Sequence, residues 1–343
     1  MKFALSALSP LSALSTLHTR LPVAWQKLRQ PQFLQQRRQR WVGVDLQADA
    51  LHVAVLAADV PGERVRVLEC RALPLNEALS ADALASFAHE LHSHPQRWSL
   101  LLARDDYRIS IVPAPEVPAS EQAESLRWQL ASSLDFAADD ASIASMALPT
   151  AAWEAERPAE LYAIAARGET VAARAALFRD AQLPLSAIDI RETAQRNIAA
   201  LMEHEQELLV MVAFTHHEVQ ITFNWHGELY LDRLIAEFSS PDDTPDRRAA
   251  LCDRIALQVQ RSLTAVRNTY PFMQSARIVV AGAPPGFCEA LAELAPAVHA
   301  PIETLQPDTF FDFSLAPELR APEQFMRYFH ALGCALRGRG NDT

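Results

Sequence analysis

The stretch WVGVDLQADALHVAVLAADVPGERVRVLECRAL, residues 41–73, decides how the rest of the chain is read. WVGVDL is apolar and β-branched enough for a buried strand, and LHVAVLAA (51–58) and ERVRVLECRAL (63–73) follow at short spacing, with Pro61-Gly62 as the turn between them. Three consecutive antiparallel strands are predicted. Beyond them, Ser80 caps a helix running to His92, with Leu84, Phe87 and Leu91 on one face. Strand-like WSLLLA (98–103) and YRISIVPAP (107–115) come next.

Pro113, Pro115 and Pro118 form a stiff link, after which Ser120 and Glu121 open a helix to about Leu134. Strands over 142–148 and 161–166, separated by a loop containing Pro149 and Pro158, complete a small inserted subdomain over 113–166. Helix 168–181, strand LSAIDI (185–190) and helix 191–203 end a first half over 41–205. Near Glu207 the theme restarts. LLVMVAF, EVQITFN and ELYLDRLI form a second meander, with Trp225-His226-Gly227 as the turn between the last two. A long helix over 243–270, strand ARIVVAG, helix 285–294 and a closing helix 322–336 complete a second half over 206–338, before a tail of 339–343. Two halves built alike predict a duplicated α/β architecture.

Ahead of Trp41 the composition changes. Seven of the 31 basic residues lie in the first 40 positions (Lys2, Arg20, Lys27, Arg29, Arg37, Arg38, Arg40), and none of the 42 acidic residues does. A basic arm, mobile or a short amphipathic helix, therefore precedes an acidic body, and its chemistry suits an anionic membrane surface or an acidic partner. The formal net charge of −11 argues against a nucleic-acid surface spread over the molecule. Residues 1–19 faintly resemble a signal peptide, but serines and Pro10 interrupt the apolar stretch. No run approaches 18 consecutive apolar residues. Cysteines 70, 252, 288 and 334 have no CxxC spacing, which fits a reducing compartment.

The two-half plan looks like the actin, Hsp70 and sugar-kinase superfamily: a two-lobed fold with an insertion in the first lobe. Local segments narrow the resemblance. Asp106–Pro115, Ser125–Phe136, Leu185–Leu201, Gly227–Arg233 and His330–Gly338 resemble, in the same order, the PilM and MshI family of type IV pilus assembly proteins. That resemblance implies a scaffold, cytoplasmic and peripheral to the inner membrane. Such a protein holds the short tail of a PilN-type single-span membrane protein and helps couple it to the cytoplasmic assembly ATPase. The cytoplasmic part of the type II secretion protein GspL has a comparable role, so a GspL-like type II secretion component is an alternative that the resemblance implies.

The resemblance also implies where a nucleotide cleft belongs. Its chemistry needs glycines, so that backbone amides approach phosphate, and aspartates to hold a hydrated metal. In the first hairpin Gly43 and Asp45 match, while Gln47 replaces a second glycine and His52 a lysine. In the second hairpin Ala213 and Thr215 replace aspartate and glycine. At the adenosine position Gly282 alone matches, followed by Ala283, Pro284 and Pro285. A degenerate cleft, a pseudo-ATPase and no resident cofactor are expected, with bound ATP and magnesium or an active ATPase as the alternative. For Asp45 itself, capping of the hairpin is the simpler reading.

Other chemistry is weaker. His89, His92 and His94 share a helix end but lack a further ligand at suitable spacing, and His216 and His217 point to opposite faces of regular β structure. No GxSxG elbow exists. Asp189 and Glu192 meet at a strand-to-helix junction, where helix capping and dipole compensation are the expected roles. Arg127 and Trp128, on the inserted subdomain's helix, are the residue types that anchor interfaces, although a Trp on an amphipathic helix is more often core. They are the candidate partner-binding residues.

Overall fold

The computed structural model describes residues 40–57, 63–92, 97–149, 159–215, 218–236, 244–283, 293 and 299–339. The arm of residues 1–39, the Pro61-Gly62 turn, His94, His216, His217, Cys288, all but Glu293 of the expected helix 285–294, and residues 340–343 lie outside the described residues.

Two sheets repeat one order. In the first, β1 (Arg40–Leu46), β2 (Ala50–Ala57) and β3 (Val65–Pro74) form the antiparallel meander, and β4 (Arg97–Leu101) and β8 (Leu185–Asp189) add in parallel beside β1. In the second, β9 (Leu208–Phe214), β10 (Glu218–Trp225) and β11 (Glu228–Ala236) repeat the meander, and β12 (Ala276–Ala281) and β13 (Ile302–Thr304) add in parallel beside β9. One unexpected strand crosses over. β14 (Phe311–Asp312), from the second half, pairs with β3 at the outer edge of the first sheet.

Each sheet buries its outer face under helices placed by periodicity. Leu84 and Phe87 of α1 (Ala81–Glu90) and Phe178 of α3 (Gly168–Asp180) pack on Val42, Val44, Val53 and Trp98. In the other lobe Leu251, Ile255, Val259, Leu263 and Val266 of α5 (Pro245–Thr269) pack on Ile221 and Phe223. Each fully buried Leu, Val or Phe contributes about 1.5–3 kcal/mol. These stripes fix the helices of each lobe to that lobe's own sheet.

The inserted subdomain is a third sheet, of order β5-β7-β6, backed by α2 (Ala119–Leu130). Its strands are β5 (Tyr107–Pro113), β6 (Ala141–Ala147) and β7 (Glu160–Arg167), so it begins before the expected 113. Tyr107–Pro113 pairs antiparallel with β7 along its whole length. It has no place in the first sheet.

Two helices cross between the lobes. α4 (Arg191–Ala199), which ends the first half, lies against β9, β10 and β11 of the second sheet, while α7 (Phe329–Ala335), which ends the second half, lies across β1, β2 and β4 of the first. The expected single helix 322–336 is two, α6 (Pro322–Arg327) and α7, separated at Tyr328, whose ring meets His52 edge-on at 5.6 Å. Phe325 and Phe329, on either side of the break, both reach the interlobe core of Met211, Val279 and Phe311.

Candidate functional site

Asp45 stands at the end of β1, 2% exposed. Its Oδ2 accepts a hydrogen bond from Gln47 Nε2 at 2.8 Å, which closes the first hairpin, while its Oδ1 lies 3.7 Å from Nη2 of Arg191 at the start of α4. Nη1 of the same guanidinium reaches Glu218 Oε1 on β10 at 3.1 Å. One arginine thus joins a carboxylate from each lobe. Burial by itself would lower the Arg191 pKa, and Asp45 and Glu218 outweigh that and hold it raised. His330 Nδ1 is 4.0 Å from Asp45 Oδ2, and burial, then the neighbouring Arg191, push its pKa down to about 4, so it is neutral at pH 7.

The remaining cleft positions surround this bridge. Thr215 closes the second hairpin, its N–H donating to Glu218 O at 3.0 Å, and Ala213 is buried in β9 between Gln220 and Ala281. His52 is opposite Asp45 in the β1–β2 register. Gly282 ends β12 at φ +68°, with Met326 Cγ and Phe214 O each 2.8 Å from where a Cβ would sit. Gly43 does not face a ligand. A Cβ there would lie 1.9 Å from Ala331 O and 2.4 Å from Ala335 N, so its missing side chain serves the approach of α7 to β1. The same seam continues at Gly333, where a Cβ would lie 2.2 Å from Ala194 O of α4.

These residues do not fit a hydrated divalent cation as they stand. The buried Asp45 carboxylate is already paired with Arg191, and Gly43 is covered by helix backbone. Among the described residues no group of three or more His, Cys, Asp or Glu side chains is arranged to hold a metal.

No protein-family model matches the sequence, and none of the curated proteins matches it. Among solved structures, that described as the "PilM-PilN type IV pilus biogenesis complex" superposes with a TM-score of 0.59 at 18% identity, over 88% of this chain and 98% of that one. This chain has the actin-like fold. A Bacteroides thetaiotaomicron protein described as having an actin-like ATPase fold and unknown function gives 0.45 at 12% identity, over 83% of this chain and 97% of that one. The cytoplasmic domain of EpsL, an inner membrane component of the Vibrio cholerae type II secretion system, gives 0.44 at 11%, over 76% and 95%.

The actin-like frame leaves a second feature, a groove of 1520 Å³ on the sheet face beside α4. β8, the outer strand of the first sheet, lines it with Ser186–Asp189, and β6, the outer strand of the inserted sheet, with Ser142 and Ala144–Ala147. Arg196 and Arg337 also line it. Arg337 is drawn to Asp189 Oδ2 at 2.5 Å, and Asp189 Oδ1 accepts from Ile190 N–H and from the Thr193 hydroxyl, tying down the start of α4.

Glu192 departs from the role expected of it. It is 1% exposed and accepts a hydrogen bond from Tyr107 of β5 at 2.6 Å, so it ties α4 to the inserted subdomain in place of compensating a dipole in solvent. Burial pushes its pKa up to about 7, against the lowering effect of Tyr107. Trp128 also departs from the expected core position. It is 68% exposed, because Leu126 and Leu130 hold the buried stripe of α2 and a residue midway between them faces outward. Arg127 turns inward, donating from Nη2 to Ala141 O at 3.3 Å. His92 Nδ1 lies 3.2 Å from Glu69 Oε1, a surface contact. Arg191, Glu218, His330 and Met326 were not singled out from sequence. Arg191 was the most accessible of them, as the lone cation between Asp189 and Glu192.

Proposed function

We propose that this protein is a scaffold of an MSHA-type type IV pilus assembly complex, at the cytoplasmic face of the inner membrane, and that it does not hydrolyse ATP. Its groove would hold the cytoplasmic tail of a PilN-type single-span membrane protein, and the assembled pair would engage the cytoplasmic assembly ATPase. The observation that carries this reading is the groove with an outer strand on either side. An outer strand offers a row of backbone N–H and C=O groups to which an extended peptide adds as a further strand. The PilM–PilN complex, similar in fold over 88% of this chain, is in keeping with it. The Arg191 bridge supports the pseudo-ATPase part, since the place of a phosphate-bound cation is taken by a side chain.

The test is titration of a fluorescent PilN-type tail peptide into wild type and Ala144→Trp. Ala144 is exposed on the groove wall, so the indole fills the groove without disturbing the core. Affinity is expected to fall about tenfold or more, equal to about 1.4 kcal/mol or more, at unchanged Tm. Equal affinity would remove the groove as the peptide site. In parallel, calorimetric titration with ATP and magnesium is expected to give no heat. Binding abolished by Asp45→Ala would overturn the reading of the cleft as one that holds no nucleotide, and release of phosphate from ATP would overturn the pseudo-ATPase reading.

A further inference from the structure

The outer face of α2 carries an unusual surface. Trp128, 68% exposed, is the most exposed large apolar side chain among the described residues, and Glu124 and Glu121, both exposed, share its face one and two turns earlier. The neighbouring Arg127 is turned into the subdomain by its bond to Ala141 O, so it lends this stripe no counter-charge. An indole face bordered by carboxylates is complementary to a lysine or arginine side chain: the ring quadrupole attracts the cation, and the carboxylates add Coulomb attraction.

The chain itself contains a segment of that chemistry. Six Lys and Arg residues and no acid lie in the 39 positions that precede β1, and at about 3.3 Å per extended residue even a fraction of them spans a domain of this size. A tethered segment is present at an effective concentration of about millimolar, so a contact too weak to persist between molecules is populated within one.

We propose that the basic arm docks in cis on the outer face of α2, with arginine or lysine side chains over Trp128 and against Glu121 and Glu124. The docked arm has its charge satisfied and is withheld from other anionic surfaces until one competes for it. The docking does not depend on the scaffold reading.

Acrylamide quenching of tryptophan fluorescence in the full chain tests this, because the quencher is uncharged and salt leaves its action unchanged. The chain has six tryptophans, so the Trp128 contribution is taken as the difference between wild type and Trp128→Phe. At low salt Trp128 is expected to be protected. Its quenching constant should rise about twofold or more in about 1 M NaCl, where charges are screened within about 3 Å. The same rise is expected at low salt in two charge variants, Arg20→Ser/Lys27→Ser/Arg29→Ser in the arm and Glu121→Gln/Glu124→Gln on the helix. The arm variant leaves every described residue unchanged, so misfolding does not confuse its result. Full accessibility in wild type at low salt would overturn the proposal, as would protection indifferent to both charge variants. Protection that disappears on dilution would assign the contact to the arm of a second copy and overturn docking in cis.

Discussion

Arg191 makes two ion pairs that belong to different lobes, and the cost of losing it follows from what stays behind. Arg191→Met would leave the Asp45 and Glu218 carboxylates in a site where both are largely withdrawn from water. Removing one partner from a buried pair costs about 3–5 kcal/mol, and urea unfolding should show a loss of that order, about 3 kcal/mol. Adding Asp45→Asn and Glu218→Gln to Arg191→Met should recover most of it. No recovery would mean that Arg191 acts through packing. Glu192 provides a pH signature. Its folded pKa of about 7 exceeds the 4.5 of an ordinary glutamate, so the folded state binds its proton more tightly than the unfolded chain does. The stability associated with that proton is therefore fully present below about pH 4.5 and is lost as pH rises through about 7. Glu192→Gln keeps an acceptor for Tyr107 without the charge. Its stability relative to wild type should be near zero at pH 4.5 and rise to about 3 kcal/mol by pH 8, read as the difference between two denaturation series. A difference that is flat with pH would place the Glu192 titration elsewhere.

At the scale of elements, the α4–α7 crossing explains two glycines by one cause. A Cβ at Gly43 meets the backbone of α7, and one at Gly333 meets the backbone of α4, and backbone cannot rotate aside as a side chain can. Gly43→Ala and Gly333→Ala should each cost about 3 kcal/mol, at the upper end of overpacking penalties. Gly227 provides the comparison. It has φ +77° in the β10–β11 turn with nothing within 4 Å of its missing Cβ, so Gly227→Ala meets only the conformational penalty, about 1 kcal/mol. Chemical denaturation of the three variants should rank Gly227→Ala mildest. The opposite order would mean that α7 can move off β1. The second meander, the long helix and the inserted strands were legible from alternation and 3.6-residue periodicity, which report local burial. The break at Tyr328, the crossing strand β14 and the outward face of Trp128 were not. Each depends on a partner far away in sequence: His52, β3, and the β7 strand that takes up Leu126 and Leu130 of α2.

For the molecule as a whole, the basic arm and acidic body predict a peripheral membrane association carried by charge. Deleting residues 1–40 should move the protein from the membrane fraction to the soluble one, and raising salt should do the same to the full chain, since surface attraction fades within a Debye length of about 8–10 Å at ordinary ionic strength. Unchanged sedimentation with membranes would assign attachment to the body. The arm and the groove thus separate in one fractionation when Ala144→Trp is run beside the deletion.

By itself, the sequence determined the elements and their duplication into two lobes with an insertion, because apolar period and residue chemistry are local properties. Tertiary structure alone decided what surrounds Asp45. A guanidinium from the start of α4 reaches both hairpins only because α4 and α7 exchange lobes, and Gly43 faces a helix only because α7 lies across its strand. The groove likewise exists only because two outer strands, β6 and β8, from different sheets flank one space. Each of these depends on distances between segments far apart in the chain, and one-dimensional periodicity carries no information about such distances.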